Sequence, residues 1–371
     1  MFASGQFVVQ LMERFAPRRL AVEGDRIGLQ VGTLQKEIRK ALVALDVTDA
    51  VVDEAIAAGV DLIIAHHAVI YRPLPAIDTS TPAGRIYEKL IKNDIAVYVA
   101  HTNLDTAEGG MNDWMADALG IESEGCLEEV HVDPLLKLVV YVPETHRRQV
   151  QEAVWRAGAG QIGEYDCCSF EVEGTGTFRP GEGTNPHIGT TGKLERVKEI
   201  RIETILPESL KGAVVQAMLK AHPYEEPAYD LFPLKLQGKA SGLGRFGRLK
   251  EPATLEAFAR HVKEAFDVPF VRVVGDPDRV VRRAAVLGGS GARYMRHALR
   301  AGADVFVTGD IDYHTAHDAL AAGLAIVDPG HNAEKIMKAK TAERLAKDLA
   351  AAGYLTEVIP SALPTEPFRL M

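Results

Sequence analysis

Short, uniformly apolar runs alternate with amphipathic stretches in the N-terminal part of the chain. The apolar runs predict buried strands, because a strand covered on both faces lacks the polar alternation of a half-exposed one. The predicted strands are Ala41–Asp46, Asp61–Ala65 and Ile95–Ala100, and the helices predicted between them are Asp49–Ala58 and Ala83–Asn93. This strand–helix–strand order predicts a parallel or mixed sheet covered by helices.

The same alternation returns near the C-terminus. The predicted strands are Ala284–Gly288, Asp304–Thr308 and Leu324–Asp328, separated by a helix over Ala292–Ala301 and a second that begins near Asp312. Residues 57–65 and 300–308 also align position by position, which indicates two similar α/β halves. Any two strand–helix–strand units share part of such a pattern, so chance similarity is the alternative explanation.

Between about residues 126 and 238 the predicted order of elements changes. The predicted strands are Leu136–Val142, Asp166–Glu173, Val197–Ile205 and Ala228–Leu234, with one helix over Thr145–Ala157 and another opened by Pro207. The order βαββαβ is that of a ferredoxin-like domain. We therefore predict an α/β protein whose two halves, residues 1–127 and 238–371, are interrupted by an inserted ferredoxin-like domain, residues 128–237.

Composition narrows the class of protein. The chain has 371 residues, of which 47% are hydrophobic and 25% charged, with a formal net charge of −9. This length exceeds one ordinary domain, and no apolar run approaches the ~18 residues of a spanning helix. A negative net charge without a long basic run makes a nucleic-acid partner unexpected. The first ten residues lack the pattern of a secretory signal.

The cysteines indicate a reducing compartment and leave metal binding to other side chains. Only three are present, Cys126 and the adjacent Cys167 and Cys168, and their spacing fits neither a disulfide framework nor a zinc ribbon. We therefore expect a cytoplasmic protein that spans no membrane. Any bound metal ion must be held by nitrogen and oxygen ligands.

Polar side chains follow four of the predicted strands. In an open α/β sheet the carboxyl ends of the strands and the helix N-termini meet at one edge, where functional groups gather. The four polar segments are His66–His67, His101–Asp105, Gly309–Asp310 and Pro329–Glu334. A single histidine after a strand more often caps a helix or bonds a backbone carbonyl than it binds metal, but several that converge favour a metal site.

Three histidines and two carboxylates are the candidate metal ligands. The side chains of His66 and His67 diverge, so the pair suits two ions side by side. His331 and Glu334 lie one helical turn apart and can face the same point, and Asp105 adds a second hard oxygen. Five such groups exceed a closed tetrahedral site, and they suit a two-metal site with open positions, which is typical of hydrolytic enzymes.

Five motifs, spread over nearly the whole chain, resemble the signatures of one family. They are His66-His67 followed by Pro73, His101-Thr-Asn-Leu-Asp105 followed by Gly109-Gly-Met-Asn-Asp113, Thr308-Gly309-Asp310, Gly330-His331-Asn-Ala-Glu334, and Gly28-Leu-Gln-Val-Gly32. Taken in their order along the chain, they resemble the signatures of the NIF-three-like family, whose bacterial members are called GTP cyclohydrolase I type 2 homologues. One departure is Arg26, which stands where the family usually has asparagine.

The resemblance implies a dinuclear centre. His66, His67, Asp105, His331 and Glu334 fall on the family's metal ligands, so two divalent ions per chain are expected, and such ligands accept zinc, iron or manganese. Asp310 and His317 resemble recurrent positions, which implies that they orient ligands or contact substrate, with helix capping as the alternative. Residues 126–238 resemble a CutA- or PII-like insert. The family also implies a homo-oligomer, most simply a hexamer.

Two other motifs are interpreted as structural. Gly242-x-Gly244-x-x-Gly247 matches the dinucleotide fingerprint formally, but it lacks a preceding apolar strand, and we interpret it as the glycine-rich return from the insert. His222-Pro-Tyr-Glu-Glu-Pro227 is expected to form a turn into an edge strand.

The sequence leaves two classes of function open. One is a metal-dependent hydrolase that acts on a nucleotide or related small heterocycle. The other is a metal-binding or regulatory assembly protein without turnover. Both keep the same five ligands, so the motifs alone do not separate them.

Overall fold

The computed structural model describes residues 1–369 and 371 and shows a mixed α/β protein. The chain forms two compact units. The outer unit comprises residues 1–131 together with 241–371, and the middle unit comprises residues 132–240. The predicted insert, residues 128–237, differs from the middle unit by a few residues at each end. Among the described residues, no helix combines the length and the apolar character that crossing a membrane requires.

Nineteen strands are found in the described residues, and the outer unit contains most of them. They are β1 Ala3–Ser4, β2 Gly28–Val31, β3 Glu37–Ile38, β4 Lys40–Ala44, β5 Leu62–Ala65, β6 Ala96–Val99, β7 Ile121–Gly125, β8 Glu128–Val132, β9 Leu135–Pro143, β10 Ser169–Phe178, β11 Glu195–Pro207, β12 Tyr229–Pro233, β13 Ala240–Leu243, β14 Arg245–Thr254, β15 Arg272–Val274, β16 Val280–Ser290, β17 Val305–Gly309, β18 Ala325–Asp328 and β19 Glu357–Pro360.

Eleven α-helices connect these strands in the described residues. They are α1 Gly5–Phe15, α2 Asp49–Ala57, α3 Pro82–Lys92, α4 Thr102–Thr106, α5 Met111–Ala118, α6 Arg147–Arg156, α7 Lys211–Ala221, α8 Leu255–Ala265, α9 Met295–Arg300, α10 Tyr313–Ala321 and α11 Ile336–Ala351. Several begin where a hydroxyl or carboxylate side chain caps the first turn, as Thr48 does for α2 and Asp312 for α10.

The outer unit is built on two sheets that repeat one arrangement. The first has the strand order β19-β4-β5-β6-β2, and the second has the order β15-β18-β17-β16-β14-β7. Each contains three strands that are parallel and successive in the chain, β4-β5-β6 in one and β16-β17-β18 in the other. Because parallel neighbours run in the same direction, the carboxyl ends of each trio lie at one edge.

The strands of the two parallel trios are mainly apolar because both faces of each sheet are covered there. One large cluster of buried side chains joins the two sheets through α1, α5, α8 and α11. The opposite face of the first sheet packs against α2 and α3. Every residue of β5, β6 and β18 is buried. Burial on both faces explains the absence of polar alternation in these segments.

The middle unit is an antiparallel sheet with two helices on one face. Its strand order is β10-β11-β9-β12, and β10 and β12 are its edge strands. Alternate residues of β9 and β11 pack against apolar side chains of α6 and α7, which are Val150, Val154, Val214 and Met218. The other face of the sheet carries the remaining, more polar set.

Two boundaries in the middle unit differ from the prediction. The strand predicted at Asp166–Glu173 begins at Ser169 and continues to Phe178, because Cys167 adopts a left-handed conformation (φ 54°) that turns the chain before the strand. Pro207 precedes a 3₁₀ turn, Glu208–Leu210, so the α-helix that it was predicted to open begins one turn later. Pro207 ends β11 in an extended conformation, and α7 begins at Lys211.

The two structural motifs behave as predicted. The Gly242–Gly247 segment lies in β13 and β14, with no helix following the glycines, so it is not a dinucleotide fingerprint. The segment that begins at His222 leads through a turn into the edge strand β12.

Candidate metal centre

The predicted polar strand ends lie together at the carboxyl edges of the two outer-unit sheets. His66 and His67 follow β5, and His101 follows β6 at the start of α4, which contains Asp105. His331 and Glu334 lie in a 3₁₀ turn, His331–Lys335, directly after β18.

Four imidazole rings form one cluster, which we call the four-histidine cluster: His66, His67, His101 and His331. The ring centres of His66 and His67 lie 5.0 Å apart, and that of His101 lies 4.9 Å from His66 and 5.7 Å from His67. His331 approaches from the second sheet, with its ring 5.2 Å from that of His67. Two overlapping groups, one of His66, His67 and His101 and one of His67, His331 and Glu334, have ligand atoms close enough to share an ion.

The two adjacent histidines are fixed through their Nδ1 atoms. His66 Nδ1 lies 3.0 Å from the backbone oxygen of Ala100, and His67 Nδ1 lies 2.7 Å from Asp46 Oδ1. An oxygen acceptor at Nδ1 places the ring proton on that atom in the neutral imidazole. Nε2 of each ring is then left as the atom that faces the cluster, which is the usual arrangement of histidines that bind metal.

The other two histidines are held in the same way by carboxylates. His101 Nδ1 lies 2.9 Å from Asp25 Oδ1, and His331 Nδ1 lies 2.6 Å from Asp310 Oδ2. Asp310 adopts a left-handed conformation (φ 60°), which is unfavourable for a residue with a side chain. The strained backbone at Asp310 therefore coincides with the contact that orients His331.

Glu334 lies at the centre of the cluster. Its Oε2 atom is 3.1 Å from His67 Nε2 and 3.3 Å from His331 Nε2, and its Oε1 atom is 3.8 Å from His66 Nε2. The residue is only 3% exposed. Burial favours the neutral acid, but the contacts with His331, His66 and His67 outweigh it and hold the pKa of Glu334 well below its usual range.

Two buried polar atoms in the cluster have no hydrogen-bond partner among the described residues. They are His66 Nε2 and Asp105 Oδ1, which lie 3.7 Å apart. Burial, followed by the neighbouring charge of Glu334, raises the pKa of Asp105 well above its usual range. Buried polar groups are normally hydrogen-bonded, since burying one without a partner destabilises the folded state. A cation between a neutral imidazole nitrogen and a carboxylate oxygen would satisfy both atoms, so these residues fit a metal ion.

Neighbouring carboxylates raise the pKa of two histidines in the cluster. Burial lowers the pKa of His67, but hydrogen bonds to Asp46 and Glu334 more than compensate and raise it to about 10. The hydrogen bond to Glu334 raises the pKa of His331, burial lowers it, and the contact with Asp310 raises it further. The resulting pKa is about 9. Positive imidazolium groups around one buried carboxylate show how strongly this pocket favours positive charge.

Gly289 leaves space for the cluster, and the side-chain amide of Asn112 supports it through hydrogen bonds. A Cβ atom on Gly289, which has φ 63°, would lie 2.7 Å from Glu334 Oε1 and 3.4 Å from His331 Nε2. Buried Asn112 donates from Nδ2 to the backbone oxygen of Asp105, and its Oδ1 accepts from the N–H of Gly288, each at 3.0 Å. Asn112 thus joins the helix after β6 to the end of β16.

All five predicted ligands lie in or beside the four-histidine cluster. Of the two other predicted residues, one contacts the cluster and one is exposed on α10. Asp310 contacts His331, but His317 is exposed on α10 and its ring packs 4.6 Å from that of Tyr313. The sequence argument omitted His101 from the ligand set. Its spacing of four residues from Asp105, on the turn that follows a strand, could have placed the two on one side of a helix.

Each of the two outer-unit sheets has three parallel strands, and histidines and carboxylates lie at the carboxyl ends of these strands. The chain is therefore an α/β protein with a candidate metal centre. The sequence profile of the Duf34/NIF3 family (NGG1p interacting factor 3) matches residues 3–367, and the chain belongs to this family. The resemblance noted from the motifs is confirmed.

Relatives match the chain over its full length. A protein of Halalkalibacterium halodurans named GTP cyclohydrolase 1 type 2 homolog is 58% identical over 369 residues, which covers 100% of this chain and 99% of that protein. A Bacillus subtilis protein of the same name is 51% identical over 99% of both. Among solved structures, a Bacillus cereus protein related to NIF3 shares 50% identity and superposes over all of both chains with a TM-score of 0.94.

Proposed function

We propose that the chain is a dinuclear divalent-metal protein that acts as a metal-dependent hydrolase on a nucleotide or a related heterocycle. The observation that carries this proposal is the fixed orientation of four imidazoles. Each Nδ1 has an oxygen partner, which leaves Nε2 of each ring as the nitrogen available to a metal ion. The Nε2 atoms of His66, His67 and His331 lie 3.1–3.8 Å from the buried carboxylates. This donor set of nitrogen and oxygen suits zinc, iron or manganese.

Six residues would hold the two ions. They are the five predicted ligands, His66, His67, Asp105, His331 and Glu334, together with His101. The side chains behind them, Asp25, Asp46 and Asp310, fix the rings through Nδ1 and increase the basicity of the nitrogen that faces the centre. Bound divalent ions supply Lewis acidity, which activates water for attack near neutral pH.

The substrate class rests on the relatives. Their printed name, GTP cyclohydrolase 1 type 2 homolog, supports a purine nucleotide as the first compound to test. Ring opening of such a compound is a hydrolysis, which matches the chemistry that a two-metal centre supplies. The exposed side of His331, which is 43% accessible, leaves a route by which a small molecule could reach the cluster.

Metal analysis with a turnover screen tests the proposal. The purified protein is reconstituted with zinc, manganese or iron, its metal content is measured, and nucleotides including GTP are screened with product detection. We expect two ions per chain and turnover that depends on them. His331→Ala should lose metal and turnover together, whereas His314→Ala, at an exposed histidine of α10, should lose neither. Two bound ions without turnover of any nucleotide would instead support the regulatory alternative.

We also propose that the middle unit is a ferredoxin-like domain and that the protein is a homo-hexamer in the cytoplasm. The βαββαβ order and the strand order β10-β11-β9-β12 support the domain assignment. The hexamer follows from the family resemblance, and the edge strands β10 and β12 provide surfaces that need covering. Light scattering decides this point, since a mass near 40.3 kDa at micromolar concentration would contradict the hexamer.

A further inference from the structure

The middle unit contains a cavity of about 700 Å³ that the proposed hydrolytic function does not use. We call it the middle-unit cavity. Its walls are residues 172–178 of β10, the loop residues 180–188, and residues 224–228 before β12. Small-molecule sites commonly measure about 300–1,000 Å³. None of the six candidate metal ligands lies in this unit.

The walls of the cavity are strongly acidic. Five glutamates line it, Glu173, Glu182, Glu199, Glu225 and Glu226, and the one arginine is Arg201. Arg201 does not neutralise them, because its guanidinium group pairs at 2.9 Å with Glu203, which lies outside the lining. The excess of negative charge selects for a cationic ligand.

One of these glutamates is buried without a basic partner. Glu199 is 9% exposed, and one of its carboxylate oxygens accepts a hydrogen bond of 2.9 Å from the Tyr224 hydroxyl. Within the described part of the chain, its other oxygen has no hydrogen-bond partner and no lysine, arginine or histidine forms an ion pair with it. A carboxylate that is largely removed from water is stabilised by a positive charge beside it. Glu199 therefore marks the place where a cationic group would bind.

The fold keeps space open for this carboxylate. A Cβ atom on Gly176, in the neighbouring strand β10, would collide with Glu199 Oε2. Any residue other than glycine at position 176 would push the carboxylate away. The glycine therefore leaves room for the Glu199 carboxylate in its present position beside β10.

Aromatic rings form the rest of the wall. Tyr224 lies 5.7 Å from the ring of Phe178 and 6.3 Å from that of His187, and all three line the cavity together with Tyr141. Aromatic faces attract organic cations through their quadrupole. A cavity that combines such faces with carboxylates is suited to the ammonium groups and alkyl segments of an amine.

We propose that the middle-unit cavity binds a small organic cation of the di- or polyamine class, with one ammonium group at Glu199 and the alkyl segment against Phe178 and Tyr224. A metal ion fits less well. Among the described residues, the groups of three or more ligand side chains close enough to share an ion all lie in the outer unit. Acidic side chains spread around a large cavity match separated positive charges better than a single compact ion.

Calorimetric titration of the full-length protein tests this site. Spermidine is the probe, and 1,8-octanediol, an uncharged molecule of similar length, is its control. Spermidine should bind in a saturable manner and octanediol should not. Glu199→Gln keeps the shape and removes the charge, so it should weaken spermidine binding by at least about tenfold. Glu152→Gln, on the exposed side of α6 and outside the lining, makes the same charge change and should bind as the wild type does.

Two further variants keep the test decisive. Phe178→Leu preserves an apolar side chain but removes an aromatic face, so it should weaken binding several-fold even if the Glu199 variant folds poorly. His331→Ala should bind spermidine normally, which separates this site from the metal centre and from the failure of the hydrolase proposal. Equal weakening in the Glu152 and Glu199 variants would show non-specific attraction to an acidic protein and overturn the proposal. Absence of saturable binding up to millimolar spermidine would also overturn it.

Discussion

Gly289→Ala should weaken metal binding at the candidate metal centre while the fold is retained. The new Cβ atom would lie 2.7 Å from Glu334 Oε1, well inside van der Waals contact. Glu334 is the buried carboxylate that lies between His66, His67 and His331, so its displacement separates the two ligand groups. Productive metal geometry tolerates only about 0.5 Å of error. We expect metal affinity to fall by about 10- to 100-fold, the usual range when the support of a ligand is lost.

A matched glycine separates this effect from backbone strain. Gly323 has φ 71°, close to the 63° of Gly289, but no atom of the described residues lies within 4 Å of the position its Cβ would take. Both alanine variants should lose about 1–2 kcal/mol of unfolding free energy from the left-handed conformation. Only Gly289→Ala should lose metal, measured by zinc titration and by metal analysis after dialysis. Full metal content in Gly289→Ala, or equal loss in Gly323→Ala, would refute the assigned position of Glu334.

Three further results are expected. Asn112→Ala should lower the unfolding free energy by about 2 kcal/mol in urea titrations, because the backbone oxygen of Asp105 would lose its partner. Zinc affinity should fall as the pH drops from 9 to 6, and zinc binding at pH 7 should release protons in calorimetry, because His67 and His331, with pKa values of about 10 and 9, must lose protons to bind metal. Burial lowers the pKa of His222 below 6.5, so near that pH the unfolded chain binds a proton that the folded chain does not. The free energy of unfolding should therefore decrease as the pH falls below about 6.5, and it should decrease less in His222→Asn.

The sequence predicted the buried strands well because burial on both faces leaves a direct signal. The segment Asp61–Ala65 was predicted as a strand, and β5 occupies Leu62–Ala65. The longer strands were underestimated. Residues 284–288 were predicted as a strand, whereas β16 runs from Val280 to Ser290, because its first residues alternate between exposed and buried and resemble a polar connection.

The candidate ligands were accessible to the same reasoning, but among the aspartates behind their rings only Asp310 was named from the sequence. Histidines directly after apolar strands stand out in any sequence of this fold class. Asp25 and Asp46, by contrast, lie in segments with no motif, and their roles depend on loops that the fold brings to His101 and His67. Those contacts join positions 76 and 21 residues apart, which no local pattern specifies. His317 lies exposed on α10, and its role in orienting ligands or contacting substrate stays a prediction.

The distance along the chain between the ligands has a consequence for biosynthesis. Glu334 follows His67 by 267 residues, and the whole middle unit lies between them. A ribosome releases the first three histidines and Asp105 long before it releases His331 and Glu334, so the middle unit has time to fold in the interval. If the cluster binds metal as proposed, stable capture must then wait until almost the entire polypeptide has been made. A chain that terminates early retains four ligands but lacks the carboxylate that joins them, so metal retention would distinguish finished molecules from incomplete ones.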